Sequence, residues 1–139
     1  DRSIFKIVDL DEAWAFLNVA QGETLSNKLV RAGRAMNAGV YFVTQSSGDV
    51  SKESLKNNIG LKFAFRSTDT NEIKQTLEFF GLDSEDENNQ KRLRNLENGQ
   101  CLMQDLYGRV GVVQIHPVFV ELLHAFDTRP PIKSEVDLE

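Results

Sequence analysis

A chain of 139 residues with 40% hydrophobic and 27% charged side chains can bury a core as one domain without disulfides or a structural metal. Its single cysteine, Cys101, excludes an internal disulfide and cysteine-based zinc ligation, and a net charge of −5 argues against a large nonspecific nucleic-acid footprint. No apolar run approaches the ~18 residues of a membrane span, and Asp1-Arg2-Ser3 lacks the features of a signal peptide, so a cytoplasmic protein is expected.

The run Ile4-Phe5-Lys6-Ile7-Val8-Asp9 is β-branched and aromatic and leads into Asp11 and Glu12, which predicts a buried strand with charge at its C-terminal end. A helix is expected to begin near Ala13, with Gly22 interrupting it near Ala20. From Glu23 the period is helical: Leu25, Leu29, Ala32, Gly33 and Met36 fall on one face, and Lys28, Arg31 and Arg34 form a basic stripe. Asn37 and Gly39 supply a stop signal.

Val40-Tyr41-Phe42-Val43 predicts a second buried strand, which ends in Thr44-Gln45-Ser46-Ser47. After a turn at Gly48 and Asp49, a short helix is expected around Lys52 to Asn58 and a third strand from Leu61 to Phe65. Asp69 and Glu72 have the spacing of a capping box, and Ile73, Leu77 and Phe80 give the helix behind them an apolar stripe. Ser84 and Glu87 suggest a second cap, with Lys91, Arg92 and Arg94 placed late, as the helix dipole favours. Gln100 to Leu106 and Arg109 to Ile115 predict a hairpin through Tyr107-Gly108. A last short helix is expected from Val118 to Phe126, and a frayed tail over 128–139. Alternating strands and helices followed by an antiparallel pair indicate an α/β fold with a mainly parallel sheet.

In such sheets ligands bind at the carboxyl ends of strands, where Asp11, Glu12, Thr44 and Gln45 are expected. An apolar strand ending in Asp-Glu suits nucleotide hydrolysis, because magnesium must be held beside the phosphates and a water oriented for in-line attack. Acids at an ordinary helix start would look the same. Thr44 and Gln45 could reach the terminal phosphate or the water, or simply cap a turn. Arg31 and Arg34 fit a solvated basic face, or an arginine finger worth roughly three to five orders of magnitude in rate; Arg66 and Arg109 are lesser candidates. Trp14, Tyr41 and Phe42 read as core aromatics, His116 and His124 as structural, and Cys101 as a buried, inert thiol.

Taken together, these segments resemble the ATPases that power conjugative DNA transfer and type IV secretion. Val8-Asp9-Leu10-Asp11-Glu12-Ala13-Trp14 is similar to their second acidic motif. Arg31-Ala32-Gly33-Arg34 with Gly39-Val40-Tyr41-Phe42-Val43-Thr44-Gln45-Ser46 is similar to the arginine-helix and Thr-Gln sensor segment they share with hexameric DNA-pumping ATPases. The likeness continues through Leu55-Lys56-Asn57-Asn58-Ile59, Asn98-Gly99-Gln100-Cys101-Leu102-Met103, Gly108-Arg109 and Ala125-Phe126-Asp127-Thr128-Arg129-Pro130.

The resemblance implies a partial RecA-like P-loop NTPase fold over residues 1–127, with helices on both faces of the sheet and a C-terminal antiparallel hairpin. It implies ATP and Mg2+ as ligands, and hexameric assembly. The other implied partners are secretion-machine components, with DNA contacted through other parts and the membrane's inner face reached through partners. It gives Asp11 the water-mediated metal role, Glu12 the water-activating role and Gln45, beside Thr44, the sensor role; Arg34, Arg31 and Arg109 inherit phosphate contacts. The family's Gly-rich loop ending in Lys and Ser or Thr does not occur in this sequence. The chain therefore reads as the C-terminal part of such an ATPase, inactive alone. If the RecA-like strand order holds, a slot opens between the sensor strand and the Leu61 strand, with unpaired edges that invite self-association or rearrangement. The readings from other classes are a noncatalytic assembly module with this fold, a phospho-receiver-like domain that uses Lys62, and a metal hydrolase. The receiver lacks its central Asp, and the hydrolase lacks ligands.

Overall fold

The β-branched run before the acids folds as strand β1 (Lys6–Leu10) and the Val40 run as β2 (Ala38–Phe42), in a computed structural model that describes residues 2–50, 56–125 and 127. The strands pair in parallel, Lys6 opposite Ala38 and Leu10 opposite Phe42. Helices α1 (Ala13–Leu17) and α2 (Ala20–Met36) carry the chain between them, the long crossover that parallel neighbours require.

Neither strand is buried on both faces, contrary to the sequence reading. Val8 and Leu10 are half-buried, whereas Ile7 is 60% exposed and Tyr41 55% exposed. The register puts Ile7 opposite Gly39 and Asp9 opposite Tyr41 on a face left open to solvent. Tyr41 is therefore no core aromatic, while Phe42 packs against the core.

Two corrections concern α2. The break between helices falls at Asn18 and Val19, and Gly22 lies buried inside α2. A Cβ at Gly22 would stand 1.9 Å from the Phe16 carbonyl oxygen, so only glycine allows this approach. The stripe expected holds in part: Gly33 is buried and Leu29 and Ala32 are half-buried, but Leu25 and Met36 are exposed and Gly22 and Ser26 are buried instead. Small residues occupy the seam because α2 runs close to backbone on both sides, Phe16 at one end and Ala38 at the other. Asn37, with a positive φ of 53°, ends the helix where the stop signal was read.

The turn at Gly48 and Asp49 forms a single 3-10 turn over Ser47–Val50. The helix expected around Lys52 to Asn58 falls largely on residues 51–55, outside the described residues, as does the tail over 128–139. Strand β3 (Lys62–Ala64) pairs antiparallel with β4 (Gln100–Gln104), which pairs antiparallel with β5 (Val110–Gln114). The α/β class stands, with the C-terminal hairpin extended by β3 into three strands. β2 and β3 do not pair, so the strands form two sheets.

Between β3 and β4 lie α3 (Thr70–Phe80) and α4 (Glu87–Arg94). Asp69 caps α3 by accepting from the Glu72 N–H at 2.9 Å. At the other end Gly81 takes φ 74°, and the N–H groups of Gly81 and Leu82 close onto the Glu78 and Leu77 carbonyls. Lys56 and Lys62 donate to the Glu78 and Phe79 carbonyls at 2.6 and 2.8 Å, so this helix end is held by side chains as well as backbone. The cap of α4 is Asp86, accepting from Asn88 N–H at 2.8 Å, and not Ser84, whose hydroxyl is used by the Glu78 carboxylate. Helix α5 (Val120–Ala125) forms as expected but buries no residue.

Ala13 and Leu17 of α1 join Ile73, Leu77, Phe80 and Leu102 in one buried cluster, against which Leu10 and Phe42 of the first sheet and Ala64 and Val110 of the second also pack. Both sheets therefore share a core. Cys101 lies within β4 at 0% exposure, and burial pushes its thiol up from the ordinary value. A thiol reagent is accordingly expected to react slowly with native protein and fully after denaturation, measured against a Cys101→Ser control. Because the folded thiol titrates higher than the unfolded one, its contribution to stability is complete below about pH 8.5. That contribution is lost as pH rises through the folded value.

Candidate functional site

The parallel pair ends with both carboxyl termini at one edge. Two hydrogen bonds fasten the ends: Val43 N–H to the Leu10 carbonyl at 3.0 Å, and Ala13 N–H to the Val43 carbonyl at 2.9 Å. Between them the chain turns sharply through Asp11 and Glu12. Asp11 Oδ1 accepts the Glu12 N–H at 3.0 Å, and Glu12 adopts the left-handed conformation with φ 52° and ψ 47°. For a residue with a Cβ that conformation costs on the order of 1 kcal/mol or more, and such strain clusters at functional sites.

The turn brings the Glu12 carboxylate to Gln45, whose Nε2 donates to Oε1 at 2.7 Å across 33 residues of sequence. The indole Nε1 of Trp14 donates to the other oxygen, Oε2, at 2.6 Å. Trp14 is 46% exposed and hydrogen-bonded, which corrects its reading as a core aromatic. Its apolar ring and polar N–H both find uses at this edge.

Thr44 faces the following loop, where its hydroxyl donates to Asp49 Oδ2 at 2.8 Å. That loop is anchored by a residue the sequence reading used only for capping. The Glu72 carboxylate accepts from the Ser46 hydroxyl at 2.9 Å and the Ser47 N–H at 2.7 Å, while Thr76 donates to the Ser47 hydroxyl at 3.1 Å. Helix α3 thus holds the segment just beyond Gln45. The one sequence signal was the polar string Thr44 to Ser47 itself.

No hydrogen bond or ion pair ties Arg31 or Arg109 to the acids. Arg31 is exposed on α2, the helix that also carries Arg34. Arg109 is engaged in its own hairpin turn, with Nε 2.6 Å from Asp105 Oδ2 and the guanidinium 5.4 Å from the Tyr107 ring centre. Arg66, His116 and His124 are exposed.

Lys62 lies buried in the second sheet, its ammonium on the Phe79 carbonyl and 4.6 Å from the Phe79 ring. Burial, and secondarily Lys56, lowers its pKa. A lysine committed to a helix end cannot serve the acid pair, which removes the receiver-like reading. Among the described residues, no three His, Cys, Asp or Glu side chains converge as a metal cluster. Magnesium needs no such cluster, because it takes one or two carboxylates with waters and phosphate oxygens; exposed Asp11 beside Glu12 fits that donor set. A groove of ≈ 570 Å³ lined by Asp86, Asn89, Arg92 and Gln100 shares no residue with this edge.

Comparison with known proteins places these features in context. The family model of an AAA-like domain matches residues 1–126. The chain is 34% identical over 119 residues to the uncharacterized protein YddE of Bacillus subtilis (strain 168), a match covering 86% of this chain and 14% of that relative.

Proposed function

Because the chain belongs to the AAA-like domain family of P-loop ATPases, we propose that the ends of β1 and β2 form the hydrolytic half of an ATP site in a motor for conjugative DNA transfer or type IV secretion. The observation that carries this reading is the 2.7 Å hydrogen bond between Glu12 and Gln45, which joins the acid of one strand end to the amide of its neighbour. The motor assignment is supported by the joint likeness of the segments from Val8 to Trp14 and Arg31 to Ser46 to those ATPases.

ATP with Mg2+ supplies the terminal phosphate as electrophile, its charge partly neutralised by the metal. In this reading Asp11 would hold the metal, through water. Glu12 accepts a proton from the attacking water, and Gln45 orients that water and relays the state of the site into the loop that Glu72 anchors. Arg31 and Arg34 are assigned in this scheme to a phosphate of their own subunit or a neighbour's in a hexamer, and Arg109 could join them only by leaving Asp105. No Gly-rich phosphate loop occurs in the sequence; in this reading another part of a longer protein supplies it, and these residues alone hydrolyse little ATP.

No helix among the described residues is long and apolar enough to cross a membrane. Placement at the cytoplasmic face of the membrane, through secretion-machine partners, is part of this proposal. DNA contact is assigned to other parts of the protein, in keeping with the net charge of −5.

The test is magnesium dependence. In the complete protein, Asp11→Asn is expected to raise the Mg2+ concentration needed for half-maximal ATPase activity by about 10–100-fold, as for outer-shell metal partners. A complete protein without Mg-dependent hydrolysis, or a variant with unchanged Mg2+ response, overturns the reading.

A further inference from the structure

We propose that Trp14 is a positioning residue for the water-activating carboxylate: its indole N–H and the Gln45 amide grip the two oxygens of Glu12 and hold them in one orientation. The inference rests on the reading of Glu12 as the general base, and it assigns a role to a side chain that the ATP site as described leaves without one.

Both oxygens of Glu12 are engaged, Oε2 by Trp14 at 2.6 Å and Oε1 by Gln45 at 2.7 Å. Bonds of this length to a carboxylate are charge-assisted and strong. Each carboxylate oxygen can accept two hydrogen bonds, so each keeps one lone-pair direction for a water. The grip therefore fixes the carboxylate without occupying it fully. A glutamate otherwise has three rotatable bonds, and one exposed at a strand end samples many rotamers. Catalysis by a base depends on geometry first, and small misplacements are costly.

Three further features point the same way. Glu12 is the N-cap of α1, and its side chain reaches over the first turn to residue 14, two positions along. Trp14 stands in the first turn of α1, whose first residue is pinned to the chain just beyond β2 by the Ala13 to Val43 hydrogen bond. That helix also buries Ala13 and Leu17 in the core, so the indole is presented from a fixed base.

The experiment compares Trp14→Phe, which keeps an aromatic ring and removes the donor, with Trp14→His, which restores a ring N–H, in the complete protein. Trp14→Phe is expected to lower kcat for ATP hydrolysis about tenfold, with KM for ATP and the melting temperature nearly unchanged, and Trp14→His is expected to recover part of the loss. A second readout needs no turnover. With 5-fluorotryptophan incorporated, the 19F resonance that disappears in Trp14→Phe is expected to shift in Glu12→Ala without nucleotide.

Unchanged kcat in Trp14→Phe, equal impairment of the Phe and His variants, faster turnover on loss of the donor, or an unmoved 19F resonance each overturns the positioning role. Glu12→Gln separates the two levels. If Glu12→Gln still hydrolyses ATP at the normal rate, the proposed function itself fails; if it is inactive while Trp14→Phe is normal, only the role of Trp14 fails.

Discussion

Glu12→Gln in the complete protein is expected to lower kcat for ATP hydrolysis by about 100- to 10,000-fold, the range that a positioned general base contributes. The substitution preserves shape and removes basicity. The introduced amide oxygen can still accept from the Trp14 indole, which has no other orientation to offer, and its NH2 can face Gln45 once that side-chain amide turns over to present its oxygen. The left-handed turn and the strand-end hydrogen bonds are therefore retained, and the melting temperature and ATP affinity should stay near those of the unaltered protein. The decisive measurement is single-turnover hydrolysis alongside equilibrium nucleotide binding. Normal turnover in this variant is incompatible with the proposed role; lost turnover with lost binding would point to a structural one.

Leu77→Ala is expected to destabilise the fold by about 2–5 kcal/mol, the range for truncating a buried leucine. Leu77 is 1% exposed in α3 and belongs to the cluster that joins α1 to both sheets. The cavity would open in the cluster that also holds Ala13 and Leu17 of α1, the helix that follows the Glu12 turn. Leu25→Ala supplies the contrast. That leucine is 47% exposed on α2, and its loss should change stability by less than about 0.5 kcal/mol. Denaturant unfolding of both variants checks the pair. Similar losses for the two would contradict the packing described above, since the helical period alone places both leucines on apolar stripes.

That contrast also marks where sequence reasoning stopped. The stripe of α3 was legible because Ile73, Leu77 and Phe80 are large and recur at the helical spacing. The stripe of α2 was legible only in part: Gly33 is buried as expected, but Leu25 and Met36 are exposed, and Gly22 and Ser26, small residues without a hydrophobic signal, face inward in their place. Glu72 illustrates a second limit. Its spacing from Asp69 fits a capping box, and the Asp69 half forms, but its carboxylate crosses 25 residues of sequence to the Ser47 N–H.

The sequence by itself determined the order of elements, the α/β class, the hairpin, and the meeting of Asp11-Glu12 and Thr44-Gln45 at neighbouring strand ends. These follow from local properties: β-branched runs make strands, periodic runs make helices, and polar residues at strand ends end them. Only the tertiary structure decided that Trp14 reaches Glu12 rather than the core, that β3 joins the hairpin and leaves β2, and which face of α2 is buried. Those outcomes depend on how closely backbones approach and on which donors find acceptors once distant segments meet, and neither quantity is written in the spacing of residues along a chain.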